Sequence, residues 1–293
     1  MSDLISLGAP SYEELAAHQH RRLDHDDELD EQCGTYRLRA RVPAGPGDEC
    51  FVAVHQGLGG FTRYVFLRRF PRARLDDALV AAVGRRADIN HRGVEQLYEL
   101  GQHGPHGFLV SELVEGLGLD HLDDALRRRG ERLPWPVALA LFHDACERVT
   151  HLHAAGVIHG DVTPARLRLS LTGNLYLCHG LPAAVPSWGR ALCDVARPIL
   201  RLAATDEDRA LIDELLRDAD GEGTLAVASD ALVLRHPELD PLLPALLLSA
   251  LEGAPLAMGR VTSMLLADLP YLALHQLWNL VAELLATPRP GRA

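Results

Sequence analysis

Aromatic residues are scarce in this chain, 5% of 293 positions, so Leu, Ala and Val must do most of the packing within a hydrophobic content of 47%. Basic residues are in deficit: 29 Lys and Arg stand against 40 Asp and Glu, and 29 − 40 = −11. That balance argues against a general binder of nucleic acid or of an anionic membrane. Long apolar runs are missing too. The most apolar stretch, near Leu242 to Leu251, contains Pro244, is followed by Glu252, and falls short of the ~20 residues a spanning helix needs. The first residues, MSDLISLGAPSYEELAAH, have no basic leader followed by an apolar run, so no signal peptide is expected. Cysteine is limited to Cys33, Cys50, Cys146, Cys178 and Cys193 with no CxxC pair, which predicts reduced thiols in a cytoplasmic protein. His151, His153, His159 and His179 lie close in sequence, yet no second cluster has ligand spacing, and no metal site is expected.

At 293 residues the chain can hold one large domain or two packed lobes, since single cores stop growing near roughly 250–300 residues. Asp24 to Glu31, DHDDELDE, is a run of repelling acidic charge, and residues 1–33 read as an appendage. From Tyr36 the chain turns to the short runs YRLRARV, ECFVAVH and RYVFLRRF, separated by PAGPGD and GLGG, the pattern of an antiparallel sheet. Leu75 to Arg86 reads as a helix, and VEQLYEL and GFLVSELVEG supply two further strands. Helical signals follow. Leu122 to Arg129 is one short helix, and Val137, Leu141, Ala145, Val149 and Leu152 recur at helical spacing after Pro136. Leu167 to Leu177 alternates about a TGN turn, which predicts a hairpin, and the chain after Ala191 reads as all helical. A five-stranded half followed by a helical half is an α+β arrangement of two lobes. The expected boundaries are a β-rich lobe over 34–111, a connecting segment over 112–118, a helical lobe over 119–285 and a tail over 286–293.

The residues at the junctions carry a resemblance. His159-Gly160-Asp161-Val162-Thr163-Pro164-Ala165-Arg166 resembles the catalytic loop of protein kinases, H-R-D-x-[KST]-P-x-N. LHAAGVIHGD before it and RLRLSLTGNLYL after it match the approach to that loop and the hairpin that follows. Val65-Phe66-Leu67-Arg68 stands where V-A-x-K would lie on the third strand, and His91-Arg92-Gly93-Val94 resembles the H-P-N-I turn. Phe108 to Gly116 resembles the last strand and hinge, Asp194 the Asp that begins a buried helix, and Arg260 a late structural Arg. From Tyr36 to Leu269 the chain is thus similar to the eukaryotic-type Ser/Thr protein kinases of bacteria, and the resemblance implies a protein-kinase-like two-lobed fold.

The same resemblance implies that the phosphotransfer residues are gone. A kinase needs a Lys on the phosphates, a Glu that holds it, and oxygen ligands for magnesium. Arg68 stands at the Lys position, and its planar fork does not replace a compact ammonium. A gap-free count puts Ala82 at the helix Glu position. Arg166 replaces the Asn ligand, and His179, thirteen residues on, replaces the Asp of D-F-G, so both side-chain magnesium ligands are lost. Pro43 and Asp48 stand at two glycine sites of the phosphate loop. Cys50 and Phe66 replace the Val and Ala of the adenine ceiling and Arg168 an apolar floor residue, which predicts a slot filled from within. Asp161 keeps the catalytic Asp position, where a carboxylate can also be purely structural. Between Gly180 and Asp194 there is little activation segment to dock a peptide.

These positions predict a catalytically inactive pseudokinase without cofactor or metal, a protein-binding or scaffold module in bacterial signalling. Its partner is expected to be another protein, engaged through an acidic segment if Arg68, Arg166 and Arg168 converge in the former cleft as an anion site. Pairing of those arginines with Asp48, Asp161 or Glu112 would close the cleft instead. The alternative is a weakly active or unconventional ATP-dependent phosphotransferase, either a Ser/Thr kinase or one of the aminoglycoside-phosphotransferase type, where H-G-D also occurs.

Overall fold

Short alternating runs joined by tight turns give the first half its sheet. The computed structural model describes residues 29, 31–42, 44, 47–157, 162–170, 174–178, 188–216, 222–240 and 243. Its first strands are β1 (Gln32–Cys33), β2 (Tyr36–Val42), β3 (Glu49–Gln56), β4 (Thr62–Pro71), β5 (Leu97–His103) and β6 (His106–Glu112). They form one antiparallel sheet in the order β1-β2-β3-β4-β6-β5. Six strands replace the expected five, because Gln32 and Cys33, assigned above to the appendage, pair with Arg37 and Tyr36. A two-residue strand is too short to show alternation. The region just before it is tied down as well: Leu29 packs against the core formed by Cys33, Tyr36, Leu38, Phe51 and Phe108, and Glu31 forms an ion pair with Arg69.

Helix α1 (Asp77–Ala87) covers the β5 edge. It starts two residues after the expected Leu75, because Arg72–Arg74 form a 3-10 turn and the Asp76 carboxylate accepts from the Leu79 N–H at 2.8 Å as its cap. Strand β6 runs through Glu112, so the connecting segment begins later than 112. That segment carries strand β7 (Gly116–Gly118), which pairs with β8 (Leu167–Ser170), itself paired with β9 (Leu175–Leu177). The second half is helical: α2 (Leu119–Arg129), α3 (Trp135–Ala154), α4 (Trp188–Leu200), α5 (Asp206–Leu215) and α6 (Glu222–Arg235). Helix α2 begins three residues before the expected Leu122 and stops at Gly130, in the left-handed region with φ 67°.

The helical half packs around α3, whose Phe142, Leu139, Ala145, Val149 and Leu152 are buried with Leu192, Val195 and Ile199 of α4 and with Leu167, Leu175 and Leu177 of the hairpin. Ile89 and Val94, from the loop between α1 and β5, belong to this core and tie the two halves together. Asp194 lies within α4 rather than at its start, because that helix begins at Trp188. Among the described residues no helix is long and apolar enough to cross a membrane.

The connecting segment depends on one glycine. Gly116 has φ +151°, and a Cβ there would lie 2.1 Å from the Leu169 carbonyl oxygen across the β7–β8 pair. Gly116→Ala is expected to cost about 1–3 kcal/mol, the usual range for a strained backbone position. It would appear as a lower urea midpoint with an unchanged slope. A midpoint equal to that of the wild type would show that the strand pair tolerates separation.

Candidate functional site

The described positions that the resemblance assigns to an active-site cleft carry charged side chains, and Arg68 and Arg168 find partners inside the chain. In the strand register Arg68 of β4 stands opposite Cys50 of β3, and Asp48 precedes β3. The Asp48 carboxylate accepts from Arg68 Nε at 2.9 Å, from Arg68 Nη2, and from Arg74 Nη1 at 2.5 Å. The Arg68 and Asp48 side chains are 9% and 6% exposed, so this is a buried pair in which two Arg68 donors share Asp48 Oδ2 while Arg74 takes Oδ1 from the surface. Cys50 lies against it. Burial pushes its thiol up to about 11, with the Arg68 and Arg166 charges working in the opposite direction. A thiol in that state is not a nucleophile near neutral pH.

Arg168 projects from β8 toward the connecting segment, and β8 pairs with β7 through Arg168 and Gly118. Its Nε donates to the Val114 carbonyl at 3.2 Å and its Nη2 to the Gly116 carbonyl at 2.8 Å. One guanidinium thus binds two backbone acceptors of the segment that joins the halves. Phe66 is buried on β4, opposite Val52 on one side and Ser111 on the other. An aromatic ring and an arginine therefore stand where the resemblance implies an adenine ceiling and floor.

Behind this layer lies a buried polar group that the sequence did not reveal. Ala82, at the helix Glu position, is half-buried, and the buried side chains of α1 are Val83 and Arg86. Arg86 Nη2 donates to the Glu95 carbonyl at 2.5 Å, and the Glu95 carboxylate accepts from Ser111 Oγ at 3.0 Å. Burial lowers the Arg86 pKa while Glu95 acts to raise it. The position at which the resemblance implies a carboxylate thus holds Ala82, and the buried charge of α1 is a cation four residues further on.

Arg166 is half-buried in the turn before β8, with its N–H on the Thr163 carbonyl at 2.9 Å and its own carbonyl accepting from the Cys178 N–H at 2.8 Å. Of the two arrangements open to these arginines, internal pairing is the one seen for Arg68, which Asp48 binds, while Arg168 is bound by carbonyls of the connecting segment. Pro43, Asp161, His179 and Arg260 lie outside the described residues. Sequence reasoning missed Arg74, Arg86 and Glu95. The dense arginine pattern between Phe70 and Ala87 was the available signal, but charged helix residues are read as solvated by default.

Of the positions that would meet magnesium and ATP, Asp161 and His179 lie outside the described residues, and the two arginines that are described are engaged within the chain. The strand cation is held by a carboxylate of the same chain, and Arg168 occupies carbonyl acceptors of the connecting segment. All 29 basic residues are arginine, so no lysine elsewhere in these 293 residues can substitute at the phosphates.

Comparison with known proteins places this geometry. Over 121 residues the chain is 36% identical to the serine/threonine-protein kinase PknL of Mycobacterium tuberculosis, a match covering 41% of this chain and 27% of PknL. PknB of the same organism is 29% identical over 118 residues, covering 39% of this chain and 18% of PknB. PknA is 28% identical over 149 residues, covering 48% of this chain and 34% of PknA. The matches thus span 18% to 34% of these relatives' length. No family profile matches the chain. Among solved structures, the M. tuberculosis PknI kinase domain superposes with a TM-score of 0.51 at 19% identity, covering 79% of this chain and 94% of that domain. A double mutant of the PknI domain gives 0.51 at 17% identity, covering 81% and 96%. The chain therefore has the two-lobed α+β fold of protein kinase domains, and its homologues are bacterial serine/threonine protein kinases.

Proposed function

We propose that this chain is a catalytically inactive pseudokinase, a cytoplasmic module of bacterial signalling that works by binding another protein. The observation that carries this reading is the buried Arg68–Asp48 pair, in which a carboxylate of the chain takes the cation that would otherwise reach a phosphate. The hinge contacts of Arg168 and the absence of lysine support it from two other directions. A net charge of −11 disfavours nucleic acid and anionic membranes as partners.

A thermal-shift titration with ATP, with and without Mg²⁺ or Mn²⁺, tests the proposal. A ligand at a hundredfold excess over its Kd stabilises the native state by about 2.7 kcal/mol. The expected result is no shift in melting temperature under any of these conditions. A metal-dependent shift, together with phosphate transfer that disappears in Asp161→Ala, would instead establish the ATP-dependent phosphotransferase that the retained Asp161 favours.

A further inference from the structure

The loop between α1 and β5 is where the sheet half meets the helical half. Val94 bridges Leu177 of β9; the Leu177 N–H donates to the Gly93 carbonyl at 2.9 Å, and the Glu95 N–H to the Leu177 carbonyl at 3.4 Å. The other side of the loop rests on α3. Gly93 has φ +89°, and a Cβ there would lie 1.9 Å from Arg148 Nε, so the guanidinium lies directly against the loop backbone. Two residues earlier the His91 ring stacks on His151 of α3, with centroids 4.3 Å apart and planes inclined by 30°. His91 Nδ1 is buried and has no hydrogen-bond partner among the described residues.

Two stacked imidazoles attract as neutral rings and repel as cations. The other charges facing His91 from α3 are Arg148, which adds to the repulsion, and Glu147, which relieves it. Glu147 is shared, since it lies 3.7 Å from Arg148, whose other carboxylate partner is Asp144. On the loop itself Arg92 is turned away, with Nη2 on the Asn174 side-chain oxygen at 2.5 Å.

We propose that the stack of His91 on His151 is an acid-sensitive clasp, which holds the loop on α3 while the His91 ring is neutral and loosens it when that ring takes up a proton. Burial first, and then His151, lowers the His91 pKa from the ordinary 6.5. The sign follows from proton counting. A base kept neutral in the fold binds fewer protons than in the unfolded chain, so stability rises with pH. The clasp is complete above 6.5 and weakens as pH falls from there toward the lowered folded value.

The test uses the full chain and follows both the His91 Cε1–H resonance and exchange of the Leu177 and Glu95 amides between pH 5 and 8. His151→Phe keeps a ring for stacking and removes the second imidazole, and His151→Gln serves if the first variant fails to fold. In the wild type the His91 midpoint should lie below 6.5 and move upward in the variant. Corrected for intrinsic exchange, protection of the two amides should fall by up to about tenfold per pH unit below that point, the limit for one linked proton. The variant should show a shallower fall. A His91 midpoint at or above 6.5, a midpoint that His151 substitution leaves in place, or acid-independent protection would each overturn the clasp.

Discussion

Asp48→Ala is expected to lower stability by about 3–5 kcal/mol, the usual cost of removing one partner of a buried ion pair. The substitution leaves Arg68 buried without the carboxylate that accepts from both its Nε and its Nη2, and it frees Arg74 at the same time. Replacing both partners, as Asp48→Leu with Arg68→Met, should recover most of the loss, because apolar side chains of similar volume carry no desolvation cost. Urea denaturation of the two variants distinguishes the cases. A single-variant loss below about 1 kcal/mol would put the pair in the class of exposed salt bridges and remove its claim to fill the cleft.

Asp208→Ala should cost about 3 kcal/mol, the upper range for losing charge-assisted bonds to a buried carboxylate, while the Thr205 cap on the backbone N–H of residue 208 is kept. The Asp208 carboxylate is fully buried and closes a capping box with Thr205 at the start of α5. It also accepts from Arg235 Nε at 2.5 Å and meets His236 Nε2 at 2.9 Å, which joins α5 to the end of α6. Burial acts to raise its pKa, but the bonds from Thr205, His236 and Arg235 outweigh burial and hold it far below the ordinary 3.8. A carboxyl depressed in the fold contributes fully above its unfolded pKa and loses that contribution as pH falls through the folded value. Asp208→Asn should therefore flatten the acid limb of stability below about pH 4, beyond its cost at neutral pH. An acid limb with the wild-type slope would show that other carboxyl groups set it.

Local patterns in the sequence were enough for the order of elements. The alternation in ECFVAVH and RYVFLRRF became β3 and β4, the spacing from Val137 to Leu152 became α3, and the runs on either side of TGN became β8 and β9. The motif around Asp161 carried the resemblance that the comparisons then supported. Partners of charged side chains were much less legible. Arg68 and Asp48 are 20 residues apart and Arg168 and Val114 are 54 apart, and such pairings depend on sheet register, which a single sequence does not encode locally. Arg86 and Glu95 were passed over for the same reason: a charge on a short amphipathic helix or at a strand entry reads as exposed until the neighbouring strands are placed. Strand β1 escaped because two residues cannot express a period.

The grip of Arg168 on the Val114 and Gly116 carbonyls bears on how the protein meets a partner. A two-lobed domain whose connector is free to swing presents many surfaces in turn, and a partner must select one of them at an entropic cost. Here the connector is stitched to the β8 hairpin by both a side chain and a strand pair. If the chain works by binding another protein, as proposed above, a connector held in this way would leave less ordering to be done on the encounter and more of the contact energy as affinity.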